Sequence, residues 1–191
     1  IIIPVYNAKN TLPRAINSIN NQNIKMNTFK VEILIIVDDG KNYKEIIPKL
    51  KKGITIKIIK TNGIKTGPGN ARNFGIEKAK GGFVGYLDAD DEWSENYLSK
   101  MLELVKKNGI AFAPTRVYDE NNILIKHFEG KRDMSMPSKS GDQVVQMFVS
   151  KTEAALINIP SNICFPHAGS ALSTSLNETA MVFDIPNLSS S

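Results

Sequence analysis

The chain carries at residues 31–40 the stretch Val31-Glu32-Ile33-Leu34-Ile35-Ile36-Val37-Asp38-Asp39-Gly40. A short aliphatic run that ends at a turn is typical of a strand buried on both faces of a parallel sheet. In such sheets, ligands bind beyond the carboxyl ends of the strands. The stretch therefore predicts an α/β fold and places Asp38 and Asp39 where a ligand would bind.

Strand and helix patterns alternate on both sides of this stretch. Strands are predicted at residues 1–5, 31–37, 54–60, 83–87, 110–118 and 123–128, and helices from residue 12 onward and at 43–51, 70–79 and 94–109. Repeated strand–helix–strand units imply a mostly parallel sheet flanked by helices. We expect one domain in two parts, an α/β subdomain at residues 1–128 and a smaller, irregular lobe at 129–191. Short helices are predicted in that lobe at residues 143–149 and 174–178.

The composition narrows the classes of protein. The chain has 191 residues, 41% of them hydrophobic, which is enough to build a core without a disulfide or metal. A single cysteine, Cys164, excludes a disulfide framework and a zinc site built from cysteines. The longest aliphatic run, at residues 33–37, is far shorter than the roughly 20 residues that span a bilayer.

The charge pattern argues against a nucleic-acid partner but does not by itself identify another one. The formal net charge is +5, but the lysines are scattered among acids and form no single stripe. A mildly basic surface suits a phosphate-bearing substrate or an anionic membrane equally well. We therefore expect no nucleic-acid partner.

Polar residues follow three of the predicted strands. Tyr6 and Asn7 follow the first, Asp38 and Asp39 the second, and Asp88, Asp90 and Asp91 the fourth. Carboxylates gathered at one edge of a sheet repel one another unless a cation or hydrogen-bond donors offset them. The spacing of Asp88 and Asp90 suits a hard divalent ion that takes one or two carboxylates plus diphosphate oxygens. The alternative at each position is a turn or helix-cap residue, and that alternative stays open for Asp91.

A glycine-rich segment at residues 67–72 precedes a predicted helix. It carries two glycines of a dinucleotide-binding fingerprint, but Arg72 stands where the third glycine belongs. The segment also follows the third strand, so a nicotinamide or flavin site is not expected, and no P-loop is present. Arg72 is a candidate for binding a phosphate or carboxylate of a ligand, or for a structural salt bridge to Asp38 or Asp88.

Four motifs follow one another along residues 1–118. They read Ile1-Ile2-Ile3-Pro4-Val5-Tyr6-Asn7, Val37-Asp38-Asp39-Gly40, Ala71-Arg72-Asn73-Phe74-Gly75-Ile76 and Tyr86-Leu87-Asp88-Ala89-Asp90-Asp91-Glu92-Trp93. In this order they resemble family 2 glycosyltransferases. The resemblance implies a GT-A (Rossmann-like) fold, with a mostly parallel sheet flanked by helices and a smaller acceptor lobe.

The resemblance also implies a site and an activity. It assigns Asp90 to a Mn²⁺ or Mg²⁺ ion, with Asp88 as a second or water-mediated ligand. It implies inverting transfer of a sugar from a nucleotide-diphospho-sugar, foremost a UDP-sugar, to a hydroxyl of a glycan or lipid-linked acceptor. By analogy, the setting is bacterial surface-polysaccharide assembly in the cytoplasm, with peripheral association at the inner face of the membrane. The residues implied to bind the nucleotide-sugar are Pro4, Val5, Tyr6, Asn7, Asp38, Asp39, Arg72, Asp88 and Ala89.

The catalytic base is where the sequence departs from the family pattern. Residues 169–172 and 181–184 look like the segments that precede the family's Glu-Asp pair, but Ile185 replaces the usual Glu. We expect the chain to be part of a longer protein whose base lies beyond Ser191, with Asp184 as a weak substitute. The alternatives are a catalytically inactive relative, a sugar-phosphate nucleotidyltransferase and a phospho-receiver domain.

Overall fold

The computed structural model describes residues 1–24, 29–119, 121, 123–128, 146–150, 172–174 and 181–182. The helices are α1 (Leu12–Asn20), α2 (Pro68–Lys78) and α3 (Tyr97–Asn108), with a short 3₁₀ turn at Lys44–Ile46. The strands are β1 (Ile2–Val5), β2 (Val31–Val37), β3 (Ile54–Lys60), β4 (Phe83–Gly85), β5 (Asp91–Trp93), β6 (Ile110–Ala113), β7 (Thr115–Tyr118), β8 (Leu124–Phe128), β9 (Gln146–Ser150), β10 (Leu172–Thr174) and β11 (Met181–Val182). Within these residues no helix combines the length and the apolar character that a membrane span needs.

The parallel part of the fold consists of β1, β2 and β3, in that spatial order. Val5 of β1 pairs with Val37 of β2, and Val37 pairs with Lys60 of β3, so the three strands end level with one another. On the free side of β1, a parallel bridge joins Ile2 to Tyr86, just after β4. The predicted α/β fold is confirmed, and the residues that follow these strands share one edge of the sheet.

The two faces of the parallel sheet bury separate cores. Ile33, Ile35 and Val37 of β2 pack with α1 and α3, whereas Leu34 and Ile36 pack with α2. Successive side chains of a strand point to opposite faces, so an aliphatic run fills both cores at once. The prediction that this strand is buried on both faces is confirmed.

The remaining sheets are mainly antiparallel, and here several predictions were wrong. Residues 146–150 form β9, which pairs with β4 and β6, where a helix had been predicted. The apolar run within this strand, residues 147–149, is too short to be assigned to helix or strand from periodicity alone. The strand predicted at 110–118 is divided into β6 and β7 at Pro114, which has no N–H to donate to a ladder.

Two predicted helices also differ from the structure. The helix expected at residues 43–51 is reduced to the 3₁₀ turn, because Pro48 cannot donate a helical hydrogen bond. Helix α3 begins at Tyr97 after the N-cap residue Asn96, three residues later than the start predicted at residue 94. Of the helix predicted at 174–178, residue 174 belongs to β10, and the rest lies outside the described residues.

Gly75 is the point of closest approach between α2 and β1. A Cβ atom at this position would lie 2.6 Å from Cγ2 of Ile2, which is fully buried. Gly75→Ala is therefore expected to lower the free energy of unfolding by about 1–3 kcal/mol through overpacking. Gly82→Ala is the matched control, since a Cβ there meets nothing within 4 Å. Urea denaturation of both variants measures the difference, and equal stabilities would contradict the close approach.

Candidate functional site

The candidate site lies at the edge where β1, β2 and β3 end. The amide of Asp38 donates to the carbonyl of Val5 at 2.9 Å, and the amide of Thr61 donates to the carbonyl of Val37 at 3.0 Å. Because the strands end level, the residues that follow each of them are brought to one edge of the sheet. The sequence predicted this convergence for Tyr6, Asn7, Asp38 and Asp39.

Asp39 is a half-buried carboxylate held by three donors. Its Oδ2 accepts from the amide of Asn7 at 2.8 Å and from the hydroxyl of Tyr43 at 2.6 Å. Its Oδ1 accepts from the amide of Lys41 at 2.9 Å. Burial acts to raise the pKa of Asp39, but these hydrogen bonds outweigh it and hold the pKa below its ordinary value. The carboxylate is therefore ionised and fixed in orientation.

Asn7 makes the turn that carries the end of β1 toward Asp39. Its φ of 54° lies in the left-handed region, which Asn tolerates better than most residues. Its side-chain Oδ1 accepts from Nζ of Lys41 at 2.5 Å. Tyr6, immediately before it, is 48% exposed. The turn thus leaves the ring of Tyr6 open to a ligand beside Asp39.

Asp38, in contrast, faces inward and is only 4% exposed. Its Oδ1 accepts from the hydroxyls of Thr61 at 2.9 Å and Thr66 at 2.7 Å, and its Oδ2 accepts from the amide of Gly67 at 2.9 Å. Its carbonyl accepts from the amide of Lys65, which has a left-handed φ of 59°. Asp38 therefore fastens the loop between β3 and α2 to the end of β2.

Arg72 of α2 forms an ion pair with Asp88. Its Nη2 lies 2.5 Å from Oδ1 of Asp88, and the Arg72 side chain is 1% exposed, whereas that of Asp88 is 22% exposed. Of the two salt bridges left open by the sequence, the structure shows the one to Asp88. The pair joins α2 to the segment after β4 and leaves the carboxylate of Asp88 partly exposed.

The acids that follow Asp88 separate into two environments. Asp90 is half-buried, and its carbonyl accepts from Nη2 of Arg14 at 3.1 Å. Nε of Arg14 also lies 2.7 Å from Oε1 of Glu92. Asp91 is 1% exposed at the start of β5, and its amide donates to the carbonyl of Asp88 at 3.0 Å. Asp91 is therefore buried next to a turn, which is the position that the turn-residue alternative predicts for it.

The two carboxylates of Asp88 and Asp90 fit a divalent ion only together with ligands from a substrate. Among the described residues no group of three or more His, Cys, Asp or Glu side chains is placed to hold a metal. Mg²⁺ and Mn²⁺ take hard oxygen ligands, and Mg²⁺ commonly binds one or two carboxylates plus substrate phosphates and water. The donor set at this edge therefore fits the predicted ion when a diphosphate is bound.

The other predicted site residues can offer a ligand only their backbone at this edge, or they do not lie at the edge. Val5 and Ala89 are buried, with 1% and 6% exposure, and Pro4 is half-buried in β1. The weak candidate for the base, Asp184, lies outside the described residues.

Several residues that contact the predicted site residues were not predicted from the sequence. A recognisable signal existed for the threonines, because short hydroxyl residues beside glycines commonly make side-chain bonds in turns. Arg14 carried no local signal, since it lies 76 positions before Asp90 and also pairs with the distant Glu92, and no sequence pattern marked the contact of Tyr43 with Asp39, four residues before it. The missed residues are Arg14, Tyr43, Thr61, Thr66 and Glu92.

Known proteins share this fold and sequence. The solved structure of S. aureus TarS 1–349 superposes with a TM-score of 0.58 at 15% identity, covering 90% of this chain and 56% of that one. That likeness confirms the predicted GT-A fold. The chain is 30% identical over 133 residues to a GalNAc(5)-diNAcBac-PP-undecaprenol beta-1,3-glucosyltransferase of Campylobacter jejuni, covering 69% of this chain and 42% of that protein.

Two further relatives and a family model cover the same region. A UDP-Glc:alpha-D-GlcNAc-diphosphoundecaprenol beta-1,3-glucosyltransferase of Escherichia coli is 32% identical over 112 residues, covering 59% of this chain and 42% of that protein. The Bacillus subtilis minor teichoic acid biosynthesis protein GgaA is 38% identical over 117 residues, covering 54% and 24%. The chain thus spans less than half the length of these relatives. Residues 1–168 match the model described as glycosyl transferase family 2. Since that match extends over most of the chain, the chain belongs to glycosyl transferase family 2.

Proposed function

We propose that this chain is the donor-binding part of an inverting glycosyltransferase that moves a sugar from a UDP-sugar to an acceptor hydroxyl. The observation that carries the proposal is the shared edge of the sheet. There an exposed Tyr6 and an ionised Asp39 follow β1 and β2, which end level with one another, and Asp88, paired with Arg72, follows the segment that Tyr86 bridges to Ile2 of β1. A ring face, an oriented acceptor and a carboxylate beside a cation suit a nucleoside diphosphate.

Each residue of the edge has a distinct role in the proposal. Tyr6 stacks on the base, and Asp39 accepts a hydrogen bond from an N–H of the base. Asp88 is directed toward the ribose and sugar by Arg72. Asp90 is the ligand of Mn²⁺ or Mg²⁺, with Asp88 as a second or water-mediated ligand, and the ion supplies charge neutralisation for the diphosphate.

The transfer itself is a single displacement at the anomeric carbon. The bond from the acceptor oxygen to that carbon forms while the bond to the diphosphate oxygen breaks, and UDP leaves with the electron pair. The acceptor proton passes to a carboxylate base on the opposite face of the sugar. The proposal assigns this base to no residue that the structure describes.

The acceptor and setting are proposed from the relatives. Two of them are named for undecaprenol-diphosphate-linked acceptors, and a third for amylovoran biosynthesis in Erwinia amylovora. We propose a glycan or lipid-linked acceptor in bacterial surface-polysaccharide assembly. The protein would then work in the cytoplasm, associated peripherally with the inner face of the membrane.

Calorimetric titration of the full-length protein with UDP tests the proposal. Binding is expected to be tighter with Mn²⁺ or Mg²⁺ than with EDTA, and Asp90→Ala is expected to abolish that difference while leaving metal-independent binding. Glu95→Ala, at an exposed acid of the same segment, is the control and should keep the metal dependence. Binding that ignores both the metal and the Asp90 substitution would contradict the site. Metal-dependent UDP binding without transfer from any UDP-sugar would contradict the activity.

A further inference from the structure

Tyr43 is a buried residue whose hydroxyl bridges two loops of the candidate site. Its side chain has 0% exposure, and it stands at the start of the 3₁₀ turn after β2. The hydroxyl donates to Oδ2 of Asp39 at 2.6 Å and accepts from the amide of Ala8 at 3.3 Å. The loop after β1 and the loop after β2 are therefore tied together through one phenol group.

The hydrogen bonds to Asp39 determine which acceptor position it has left for a ligand. A carboxylate offers about four lone-pair positions, two on each oxygen. Oδ2 takes both Tyr43 and Asn7, and Oδ1 takes the amide of Lys41. One position on Oδ1 remains, and its direction depends on the donors that hold Oδ2 in place. Among the described residues, Tyr43 is the side chain that donates to this carboxylate.

We infer that Tyr43 is a positioning residue for base selectivity, holding Asp39 so that its remaining acceptor faces a base N–H. The inference rests on the proposed function and deepens it. Uracil presents an N–H donor at N3, whereas cytosine has an unprotonated acceptor nitrogen at that atom. A fixed carboxylate thus favours uracil over cytosine, and a carboxylate free to rotate discriminates less.

The ionisation of the pair keeps the donor and acceptor roles constant. Burial, followed by the hydrogen bond to ionised Asp39, raises the pKa of Tyr43 to about 12. The phenol therefore remains protonated, as the donor, at every pH at which the protein would work. The charged and polar groups facing the pair are Lys41, Asn7 and the amide of Ala8, and none of them competes for the phenol proton.

The test compares UDP with CDP on the full-length protein by calorimetry at saturating Mn²⁺. Tyr43→Phe keeps the buried ring and removes only the hydroxyl. It is expected to weaken UDP binding about tenfold and CDP binding less than about twofold, so the selectivity falls. Tyr97→Phe is the matched control, because Tyr97 is also fully buried and its hydroxyl has no hydrogen-bond partner among the described residues. That variant should bind both nucleotides as the parent protein does.

The outcomes separate this inference from the proposed function. A parent protein that shows no preference for UDP refutes the proposed function itself, and the inference falls with it. If the parent prefers UDP but Tyr43→Phe weakens both nucleotides equally or neither, the phenol is only structural and the inference is wrong.

A double-mutant cycle provides the second measurement. In an Asp39→Asn background, the carboxylate that Tyr43 positions is gone, so Tyr43→Phe is expected to change selectivity no further. An undiminished loss of selectivity in that background would overturn the inference. The cycle also settles the matter if Tyr43→Phe alone proves less stable, since it compares base preference and not total affinity.

Discussion

Asp88→Asn is expected to lower both the stability of the protein and its sugar-transfer activity. The guanidinium of Arg72 is 1% exposed and lies 2.5 Å from Asp88. A neutral amide leaves that buried cation without its opposite charge, and breaking a buried pair in this way costs about 3–5 kcal/mol. Because 22% of the Asp88 side chain is exposed, we expect a loss below that range, about 2–3 kcal/mol. Urea denaturation measures this loss.

The activity loss follows from the position of Asp88 at the proposed donor site. Misplacing or neutralising one charged group that acts on a developing charge typically reduces turnover about a hundredfold or more. A transfer assay with a UDP-sugar measures that reduction at a temperature where the variant is folded. Retention of more than half the activity would remove Asp88 from the site.

Asp90→Asn is the matched control because it makes the same change two residues further along. Asp90 is half-buried, its carbonyl accepts from Arg14 in either variant, and asparagine keeps the size of the side chain and one oxygen acceptor. We expect a similar loss of activity with a change in unfolding free energy within about 1 kcal/mol. Equal losses of unfolding free energy in the two variants would mean that the Asp88–Arg72 ion pair does not add the extra stability expected of it.

The sequence was sufficient to predict the features that depend on local pattern. The run at residues 33–37 is aliphatic throughout, and a strand buried on both faces is its direct consequence, as the two cores show. Convergence of the residues after β1 and β2 follows from parallel pairing alone. For these reasons both the α/β fold and the edge that carries Asp39 could be predicted from the sequence.

Features that depend on contacts between residues far apart along the chain could not be predicted from the sequence. Strand β9 is inserted between β4 and β6, and nothing within its five residues indicates that pairing. Nothing in the sequence distinguishes Asp38 from Asp39, although Asp38 faces inward and Asp39 faces the site edge. That difference depends on partners such as Thr66, which lies 28 positions away along the chain.

Among the substitutions at this edge that leave the Arg72–Asp88 ion pair intact, Asp38→Ala is expected to lower the free energy of unfolding most. The carboxylate accepts from two hydroxyls and one amide, and it is 4% exposed. Each buried donor left without an acceptor costs about 1–3 kcal/mol, but the hydroxyl of Thr61 keeps the carbonyl of Gly63 at 2.7 Å as an acceptor, and Thr66 can turn partly toward water. We therefore expect a loss of about 2–4 kcal/mol in unfolding free energy, measured by urea denaturation.

The loss should be concentrated in the loop between β3 and α2. Amide hydrogen exchange is expected to rise at Lys65 and Gly67, whose amides are held by the carbonyl and carboxylate of Asp38. Asp38→Asn should fall between alanine and the parent protein. Its amide oxygen still accepts from both hydroxyls, whereas its amide nitrogen cannot accept from Gly67.

Asp39→Ala provides the contrast that decides between the two acids. Two of its three donors are main-chain amides at exposed positions, where water can replace the lost acceptor, so the stability loss comes mainly from the buried hydroxyl of Tyr43 and should be about 1–2 kcal/mol. Affinity for UDP should fall far more in this variant than in Asp38→Asn, because Asp39 is half-buried whereas Asp38 is only 4% exposed. If Asp38→Asn loses UDP affinity as strongly while its loop exchanges normally, then Asp38 itself contacts the nucleotide. Normal exchange together with retained affinity would mean that the loop does not depend on the carboxylate. Loss of protection in that loop, with the larger affinity loss at Asp39, identifies one acid as the support of the site and its neighbour as the ligand contact.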